Sequence, residues 1–286
     1  MDLRPGTTPI IFLSNFIAAK MENKNPSGSI KDRIVETELN TLKNDGVISR
    51  KSVLVSVLNG EFAVSFAYFC AKKGFKCIII CSKLINKNHL SLCKMFGAEI
   101  HFSESESYKS MLKLKEELIK KAPENVYVDF YNRHALKKLY HISFCQELKL
   151  QVQSAQKNIK NVFLFSESCV LAESIKDSFP SALLYNVKIS NGFFNFNGQK
   201  RNIVNNLNIL AEDEPSKNLF EKQININFDK VVENIKDVSK KSGLLMDYRT
   251  SACYLSAKDY VCYNNDVNLI VFYENGERYV EEILSL

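Results

Sequence analysis

Asn25-Pro26-Ser27-Gly28-Ser29-Ile30-Lys31-Asp32-Arg33 is the stretch from which the fold is best inferred, because it joins a tight turn to a helix start. Gly28 supplies the positive φ that a turn between two serines favours. Ser29 is a predicted N-cap for a helix that begins at Ile30. Lys31 then lies in the first helical turn, near the positive end of the helix dipole, which disfavours the protonated amine.

Two interpretations of Lys31 follow from this position. A lysine whose protonated form is disfavoured is a candidate for forming a Schiff base with a carbonyl compound. An ordinary surface lysine in a turn explains the same residue, since lysine is common in helices. The spacing alone leaves both open.

Three segments together resemble a known family: Thr8-Pro9-Ile10, Lys20-Met21-Glu22 and Asn25 to Arg33. They are similar to the cysteine synthase family, which belongs to the tryptophan-synthase-β-like enzymes of fold type II. These enzymes depend on pyridoxal 5'-phosphate (PLP). The family lysine that binds PLP as a Schiff base corresponds to Lys31, the candidate catalytic residue. The resemblance therefore implies PLP as the cofactor and a small amino acid as the substrate.

Composition limits the remaining classes of function. The 286 residues are 45% apolar, enough for a sizeable core, and no apolar run is long enough to cross a membrane. The eight cysteines have no metal-site spacing, so reduced thiols in a cytoplasmic protein without a metal are expected. The formal charge of +6 is dispersed, so no nucleic-acid partner is predicted.

Strand and helix signals alternate along the chain, which predicts an α/β protein with mostly parallel sheets. The predicted strands cover residues 53–57, 77–81, 99–102, 126–130, 161–165, 182–189 and 267–273. The predicted helices cover residues 62–73, 88–96, 107–121, 136–150, 169–179, 228–241 and 248–261. Gly74 is the predicted stop of the first of these helices.

With the resemblance, the expected fold is two three-layer αβα domains with a cleft between them. The expected domains are residues 1–148 and 149–286, with about the first 35 residues packing on the second. A doubly wound binding protein without a cofactor fits the same alternation. Residues 190–225 are interpreted as loops around weak elements or as a diverged insertion.

The family binds the PLP phosphate in a glycine-rich loop between a strand and a helix. The matching segment is Ser166-Glu167-Ser168, which contains no glycine. Ser166 and Ser168 are candidate cofactor-binding residues because their hydroxyls can donate to phosphate. Glu167 would repel a phosphate by about 1 to 4 kcal/mol at close range. Serines that only cap a helix are the alternative.

The family loop that binds the substrate carboxylate corresponds to Leu58-Asn59-Gly60-Glu61-Phe62-Ala63. Asn59 and Gly60 are candidate substrate-binding residues, and Asp129 takes the place of a glutamine that reaches the family's active site. Glu61 replaces the asparagine that contacts the 3'-oxygen of PLP, so Glu61 is a candidate cofactor-binding residue. A carboxylate and a phenyl ring do not donate to a carboxylate, so binding in the family's manner is not expected.

The ring nitrogen of PLP accepts a hydrogen bond from a serine or threonine hydroxyl before a Gly-Glu-Arg-Tyr segment in the family. Asn275 occupies that position before Gly276, and its amide can donate to the nitrogen. Asn275 is therefore a candidate cofactor-binding residue. An asparagine before a glycine also favours a turn with no other role.

Two functions remain as hypotheses. The first is a cysteine synthase-like enzyme that replaces or eliminates the β-substituent of an activated serine, as when O-acetylserine and sulfide give cysteine. The second is a catalytically degenerate member that serves as a binding or regulatory subunit. The resemblance also implies a homodimer or a heterodimer with a paralogue.

Overall fold

The computed structural model describes residues 3–165, 169–190, 193–196, 199–202 and 218–286. Strands and helices alternate through most of these residues. The strands are β1 (Ile10–Ser14), β2 (Ile17–Lys20), β3 (Val53–Val57), β4 (Lys76–Cys81), β5 (Glu99–Phe102), β6 (Asn125–Tyr127), β7 (Asn158–Leu164), β8 (Leu183–Ser190), β9 (Phe193–Phe196), β10 (Gln199–Asn202), β11 (Lys222–Asn227) and β12 (Asp266–Val271).

The helices begin and end close to the predicted positions. They are α1 (Lys31–Asn44), α2 (Gly60–Lys73), α3 (Lys87–Met95), α4 (Tyr108–Lys121), α5 (Arg133–Leu139), α6 (Gln146–Ser154), α7 (Cys169–Ser178), α8 (Phe228–Ser242), α9 (Tyr248–Lys258) and α10 (Val280–Leu284). A π-helical segment, Tyr140–Cys145, joins α5 to α6.

The smaller parallel sheet has the strand order β5-β4-β3-β6. Its central strands β3 and β4 are almost entirely buried, as expected for parallel strands covered on both faces. Gly74 takes a left-handed conformation, φ +75°, to end α2 before β4 begins. The loops after β3 and β6 leave the same edge of this sheet.

The larger sheet has the order β1-β2-β12-β7-β8-β11 and is parallel except for the β1–β2 hairpin. Strand β2 pairs with β12, so residues near the start of the chain lie in the same sheet as residues 266–271. One hydrophobic cluster includes side chains from both sheets. The loops after β7 and β12 leave the carboxyl edge of this sheet, where ligands bind in open α/β proteins.

The predicted α/β class with mostly parallel sheets is confirmed. The strand predicted to reach Phe130 ends at Tyr127, and the helix predicted over residues 136–150 is divided by the π-helical segment. Within the segment interpreted as loops, β11 forms an edge strand parallel to β8, while residues 203–217 lie outside the described part of the chain. In the described ranges, no helix is both long and apolar enough to span a bilayer. The division into domains at residue 148 stays a prediction.

Candidate cofactor and substrate site

Lys31 is the first residue of α1, one position later than the predicted helix start. Its backbone N–H donates to the Ser29 hydroxyl oxygen over 3.1 Å, but Ile30 is the N-cap residue and its side chain makes no capping bond, so the prediction of Ser29 as the N-cap is wrong by one residue. The half-buried Lys31 side chain places Nζ 5.3 Å from the centre of the Phe62 ring. A cation at this distance from a ring face is attracted by about 0.5 to 2 kcal/mol.

Asp32 organises the loop that precedes Lys31. Its carboxylate accepts a 2.6 Å bond from the Ser27 N–H and a 2.6 Å bond from the Ser65 hydroxyl, and the Ser27 hydroxyl also donates to it. Burial raises the pKa of Asp32 from 3.8 to about 6, although the bonds from Ser27 and Ser65 act in the opposite direction. The lysine loop, residues 25–31, is therefore fixed to α2 through Ser65.

The lysine loop is also fixed to the segment after β12. The Ile30 N–H donates to the Tyr273 carbonyl over 3.0 Å, and the Asn275 N–H donates to the Gly28 carbonyl over 3.1 Å. Gly28 has φ +89°, and a Cβ atom there would lie 2.4 Å from Asn275 Nδ2. The absence of a side chain at Gly28 thus allows the Asn275 amide to lie directly against the lysine loop.

Asn59 and Gly60 lie at the start of α2, as the sequence predicts for a loop after β3. The Asn59 Nδ2 and Oδ1 atoms are buried and have no hydrogen-bond partner among the described residues. A buried polar group without a partner costs about 1 to 3 kcal/mol, so this side chain is suited to binding a polar ligand. Space is open beside Gly60, because a Cβ there would meet no described atom within 4 Å.

Glu61 is buried in the first turn of α2 and contacts a residue that the sequence analysis did not single out. Its Oε1 accepts a 2.8 Å bond from Nη1 of Arg249, near the start of α9. Arg249 is only 2% exposed. Its Nε lies 3.3 Å from Asp247 Oδ1, and its Nη2 donates to Glu274 Oε1 over 2.8 Å. This guanidinium therefore connects the start of α2 with the end of β12.

Glu274 extends the charged network from Arg249 toward α3. Its Oε2 lies 2.9 Å from Nε2 of His89 and 3.0 Å from Nη1 of Arg278, while the Tyr279 hydroxyl donates to Oε1. Burial favours the neutral carboxyl, but His89, Arg249 and Arg278 together lower the pKa of Glu274 well below its usual range. Glu274 is therefore an anion with both oxygens engaged.

Asp129, Ser166 and Ser168 are the remaining predicted site residues. Asp129 is exposed, and its Oδ1 accepts a 2.9 Å bond from the Tyr131 N–H, which is a local turn contact. Ser166 and Ser168 lie outside the described residues. The residue before them, Phe165, donates its N–H to the Tyr273 hydroxyl over 3.0 Å, so the end of β7 contacts the residue whose carbonyl binds Ile30.

Arg249 and Glu274 are the residues of this site that sequence reasoning missed. The available signal was the pair of charged residues, Asp247 and Arg249, at the start of a helix that otherwise consists mainly of small and apolar residues. A charged pair in such a helix is normally buried and paired. Among the described residues, no cluster of histidine, cysteine and acidic side chains has the arrangement of a metal site.

Comparison with known proteins identifies the family. The family described as pyridoxal-phosphate dependent enzyme matches residues 1–172, which includes the lysine loop and the start of α2. The chain belongs to this family. The family's coenzyme is PLP, so membership implies this coenzyme and confirms the resemblance inferred from the lysine loop.

Individual relatives support the cysteine synthase-like assignment. A cysteine synthase of Staphylococcus aureus (strain N315) is 30% identical over 121 residues, which are 40% of this chain and 39% of the relative. The chain thus matches about two fifths of that relative's length. A solved hydrogen sulfide-producing enzyme from Fusobacterium nucleatum has a TM-score of 0.77 and 19% identity, covering 96% of this chain and 97% of the other.

A second solved structure has the same fold. The O-acetylserine dependent cystathionine beta-synthase from Helicobacter pylori has a TM-score of 0.75 and 20% identity, covering 97% of this chain and 95% of that chain. At this identity the likeness establishes the fold alone. It confirms the fold type II arrangement expected from the sequence.

The residues around Lys31 fit PLP as a ligand held through this lysine. Lys31 is half-buried, and its loop is held in place by three hydroxyl or amide donors to Asp32 and by a backbone bridge between Ser29 and Glu274. Asn275 stays the predicted partner of the ring nitrogen, and the buried Asn59 side chain has no hydrogen-bond partner among the described residues. The assignment of Glu61 to the 3'-oxygen stays a prediction, because its Oε1 is bound by Arg249.

Proposed function

We propose that this protein is a cysteine synthase-like enzyme that acts on the β-carbon of an activated serine. The substrate would be an ester such as O-acetylserine, with sulfide as the second substrate of the replacement reaction. The observation that supports this proposal is the intact lysine loop: Asp32, Ser27 and Ser65 hold it in a fixed conformation beside the end of β12.

Bound PLP supplies an electron sink that makes the α-proton of an amino acid acidic. In the proposed reaction, Lys31 would hold the coenzyme, and its Nζ, once freed from it, would accept the α-proton. The ester oxygen would leave the β-carbon as a carboxylate, and sulfide would take its place there. Asn275 orients the coenzyme through its ring nitrogen, and Asn59 with Gly60 contacts the substrate. Phe62, with Phe130 at 5.2 Å between ring centres, shields Nζ from water on one side.

The first test is the absorption spectrum of the purified protein with added PLP, compared with that of Lys31→Ala. The wild-type protein is expected to gain a visible band that the variant lacks. Borohydride reduction followed by peptide mass spectrometry should find the added pyridoxyl group on Lys31. Identical spectra for the two proteins would contradict the proposal, as would a label on another lysine.

A second function is favoured by the contacts of Glu61 and Phe62. Glu61 is bound by Arg249, and the Phe62 ring lies over the Lys31 amine. Two side chains of residues 58–63, the segment that matches the family's carboxylate-binding loop, are therefore in contact with other side chains of this protein. We propose as the alternative that the chain is a catalytically degenerate binding or regulatory subunit. Coenzyme bound at Lys31 without any release of acetate from O-acetylserine would favour this alternative.

A dimer is proposed on the resemblance. Light scattering coupled to size-exclusion chromatography would measure the mass directly. Twice the chain mass is expected for a homodimer. The mass of one chain would contradict a homodimer, and a heterodimer with a paralogue would then be the remaining expectation.

A further inference from the structure

Tyr273 connects the lysine loop with the end of β7. Its carbonyl accepts a 3.0 Å hydrogen bond from the Ile30 N–H, and its hydroxyl oxygen accepts a 3.0 Å bond from the Phe165 N–H. Ile30 immediately precedes Lys31 in the chain. Phe165 immediately precedes residues 166–168, the segment that matches the family's phosphate loop in sequence. Tyr273 therefore contacts both of the segments to which the resemblance assigns the attachment of PLP.

The position of Tyr273 is fixed by contacts of its backbone and of its ring. Its N–H donates to the Thr250 hydroxyl oxygen over 3.4 Å, and the next residue, Glu274, forms a backbone bridge with Ser29 of the lysine loop. Tyr273 is 5% exposed, and Arg249 Cζ lies 5.1 Å from the centre of its ring. Because the backbone and the ring are both held, the length of this side chain sets how far the Phe165 N–H lies from the lysine loop.

The bond to Phe165 has particular weight because the segment that follows it contains no glycine. In a glycine-rich loop, several backbone N–H groups can turn toward one phosphate. A segment without glycine has fewer allowed backbone conformations. The direction in which the chain leaves β7 therefore has more influence on where the donors of residues 166–168 point, and the Tyr273 hydroxyl holds the N–H at that exit.

We propose that Tyr273 is a positioning residue for PLP, whose hydroxyl fixes the segment that receives the phosphate relative to the lysine that holds the aldehyde carbon. The inference rests on the proposed function and deepens it, because it assigns the alignment of the two attachment points to a residue outside the sequence motifs. Loss of the hydroxyl would leave Lys31 able to react with an aldehyde. The loss should therefore be specific for ligands that carry a phosphate.

The test compares PLP with pyridoxal, which has the same ring and aldehyde but no phosphate. Apparent dissociation constants are measured from the visible band in wild type and in Tyr273→Phe, so the reactivity of each ligand cancels between the proteins. The variant should bind PLP about five- to tenfold more weakly, as expected for the loss of one buried hydrogen bond, and pyridoxal as well as wild type does. A purely structural role would weaken the binding of both ligands equally.

Tyr185→Phe is the matched control. Tyr185 is a buried tyrosine whose ring stacks on Phe163 of β7, with 4.8 Å between ring centres. Its substitution removes a hydroxyl beside the same strand but none that binds Phe165, so the preference for PLP over pyridoxal should equal that of wild type. An equal loss of PLP binding in Tyr185→Phe and Tyr273→Phe would overturn the proposal.

Pyridoxine 5'-phosphate has the ring and the phosphate but no aldehyde, so it tests the phosphate end without Lys31. It should raise the melting temperatures of wild type and Lys31→Ala alike and that of Tyr273→Phe less, because a ligand that binds only the folded state stabilises it. Equal stabilisation of wild type and Tyr273→Phe would overturn the role of Tyr273 even where PLP labels Lys31. A wild-type protein that neither takes up PLP at Lys31 nor responds to pyridoxine 5'-phosphate would overturn the proposed function as well.

A measurement on the wild type applies if Tyr273→Phe does not fold. Pyridoxal attached at Lys31 should slow amide hydrogen exchange in the peptide that contains Phe165, because Tyr273 binds both segments and coupling between two sites is reciprocal. Peptides from α4 serve as the control and should exchange at an unchanged rate. An unchanged rate at Phe165 would show that the two segments are not coupled and would overturn the proposal.

Discussion

Arg249 Nη1 donates a 2.8 Å hydrogen bond to Glu61 Oε1, and this bond joins the start of α9 to the start of α2. The same guanidinium also binds Asp247 and Glu274. One cation thus meets acidic side chains from three separate segments of the chain. Substitution of Arg249 measures how much this cation contributes to the stability of the fold.

Arg249→Met should destabilise the protein strongly, because it leaves three buried carboxylates without their shared partner. Breaking a buried ion pair from one side costs about 3 to 5 kcal/mol. The free energy of unfolding in urea measures the effect. Arg50→Met is the matched control, since Arg50 is exposed and the change there should cost little. Similar losses in the two variants would contradict the role assigned to Arg249.

Asp32 should make stability depend on pH in the weakly acidic range. Burial raises its pKa from 3.8 to about 6, so the folded protein binds the proton more tightly than the unfolded chain. The contribution of Asp32 is therefore fully present below pH 4 and is lost as the pH rises through about 6. Since one pKa unit corresponds to about 1.4 kcal/mol, the loss is about 3 kcal/mol.

The measurement for Asp32 is the free energy of unfolding between pH 4 and pH 7, in wild type and in Asp32→Asn. The wild-type value minus the variant value should fall as the pH rises. Asp45→Asn, at an exposed position, should leave the pH profile of the wild type unchanged. A difference that rises with pH would show that the hydrogen bonds from Ser27 and Ser65 outweigh burial.

Gly28→Ala should disturb the lysine loop more than a glycine substitution with similar backbone geometry. Gly28 and Gly46 have φ of +89° and +74°, so alanine is strained at both. Only at Gly28 would the new Cβ meet a neighbour, Asn275 Nδ2, at 2.4 Å. The loss of unfolding free energy should exceed that of Gly46→Ala, for which about 1 kcal/mol is expected. Gly28→Ala/Asn275→Gly should recover part of the difference.

Phe62→Leu should make the Lys31 amine more reactive toward aldehydes at neutral pH. The ring lies 5.3 Å from Nζ and favours the protonated amine, which does not react. Loss of about 0.5 to 1 kcal/mol corresponds to an increase in the rate of about two- to fivefold. The rate of pyridoxyl labelling at Lys31 after borohydride reduction measures it. Phe66→Leu, which also packs on Phe130, should leave the rate unchanged.

Local sequence signals predicted most of the regular structure. Buried runs such as Val53–Val57 and left-handed glycines such as Gly74 depend on neighbouring residues, so they can be read without the fold. The signals for the lysine loop are also local, and the helix that follows it starts within one residue of the predicted position. The π-helical segment was missed because it depends on packing against α7, which no local pattern encodes.

The charged network could not be predicted in the same way. Glu61 and Arg249 are 188 residues apart, and each has an ordinary local explanation: an acidic residue in a first helical turn and an arginine near a helix start. Only the fold brings the start of α9 near the start of α2, where the two side chains form their bond. The positions that differ from the family are evident in the sequence motifs, whereas the contacts that Glu61 and Arg249 form depend on the fold.

Strand β2 pairs with β12, and the Arg278 side chain donates to the Ser27 carbonyl 251 residues away. During synthesis on the ribosome, the lysine loop emerges early but lacks these partners until residues 266–279 have left the exit tunnel. Until then, a nascent chain holds Lys31 on an unsupported segment. The loop therefore acquires its conformation only after residues 266–279 have been made, long after Lys31 itself.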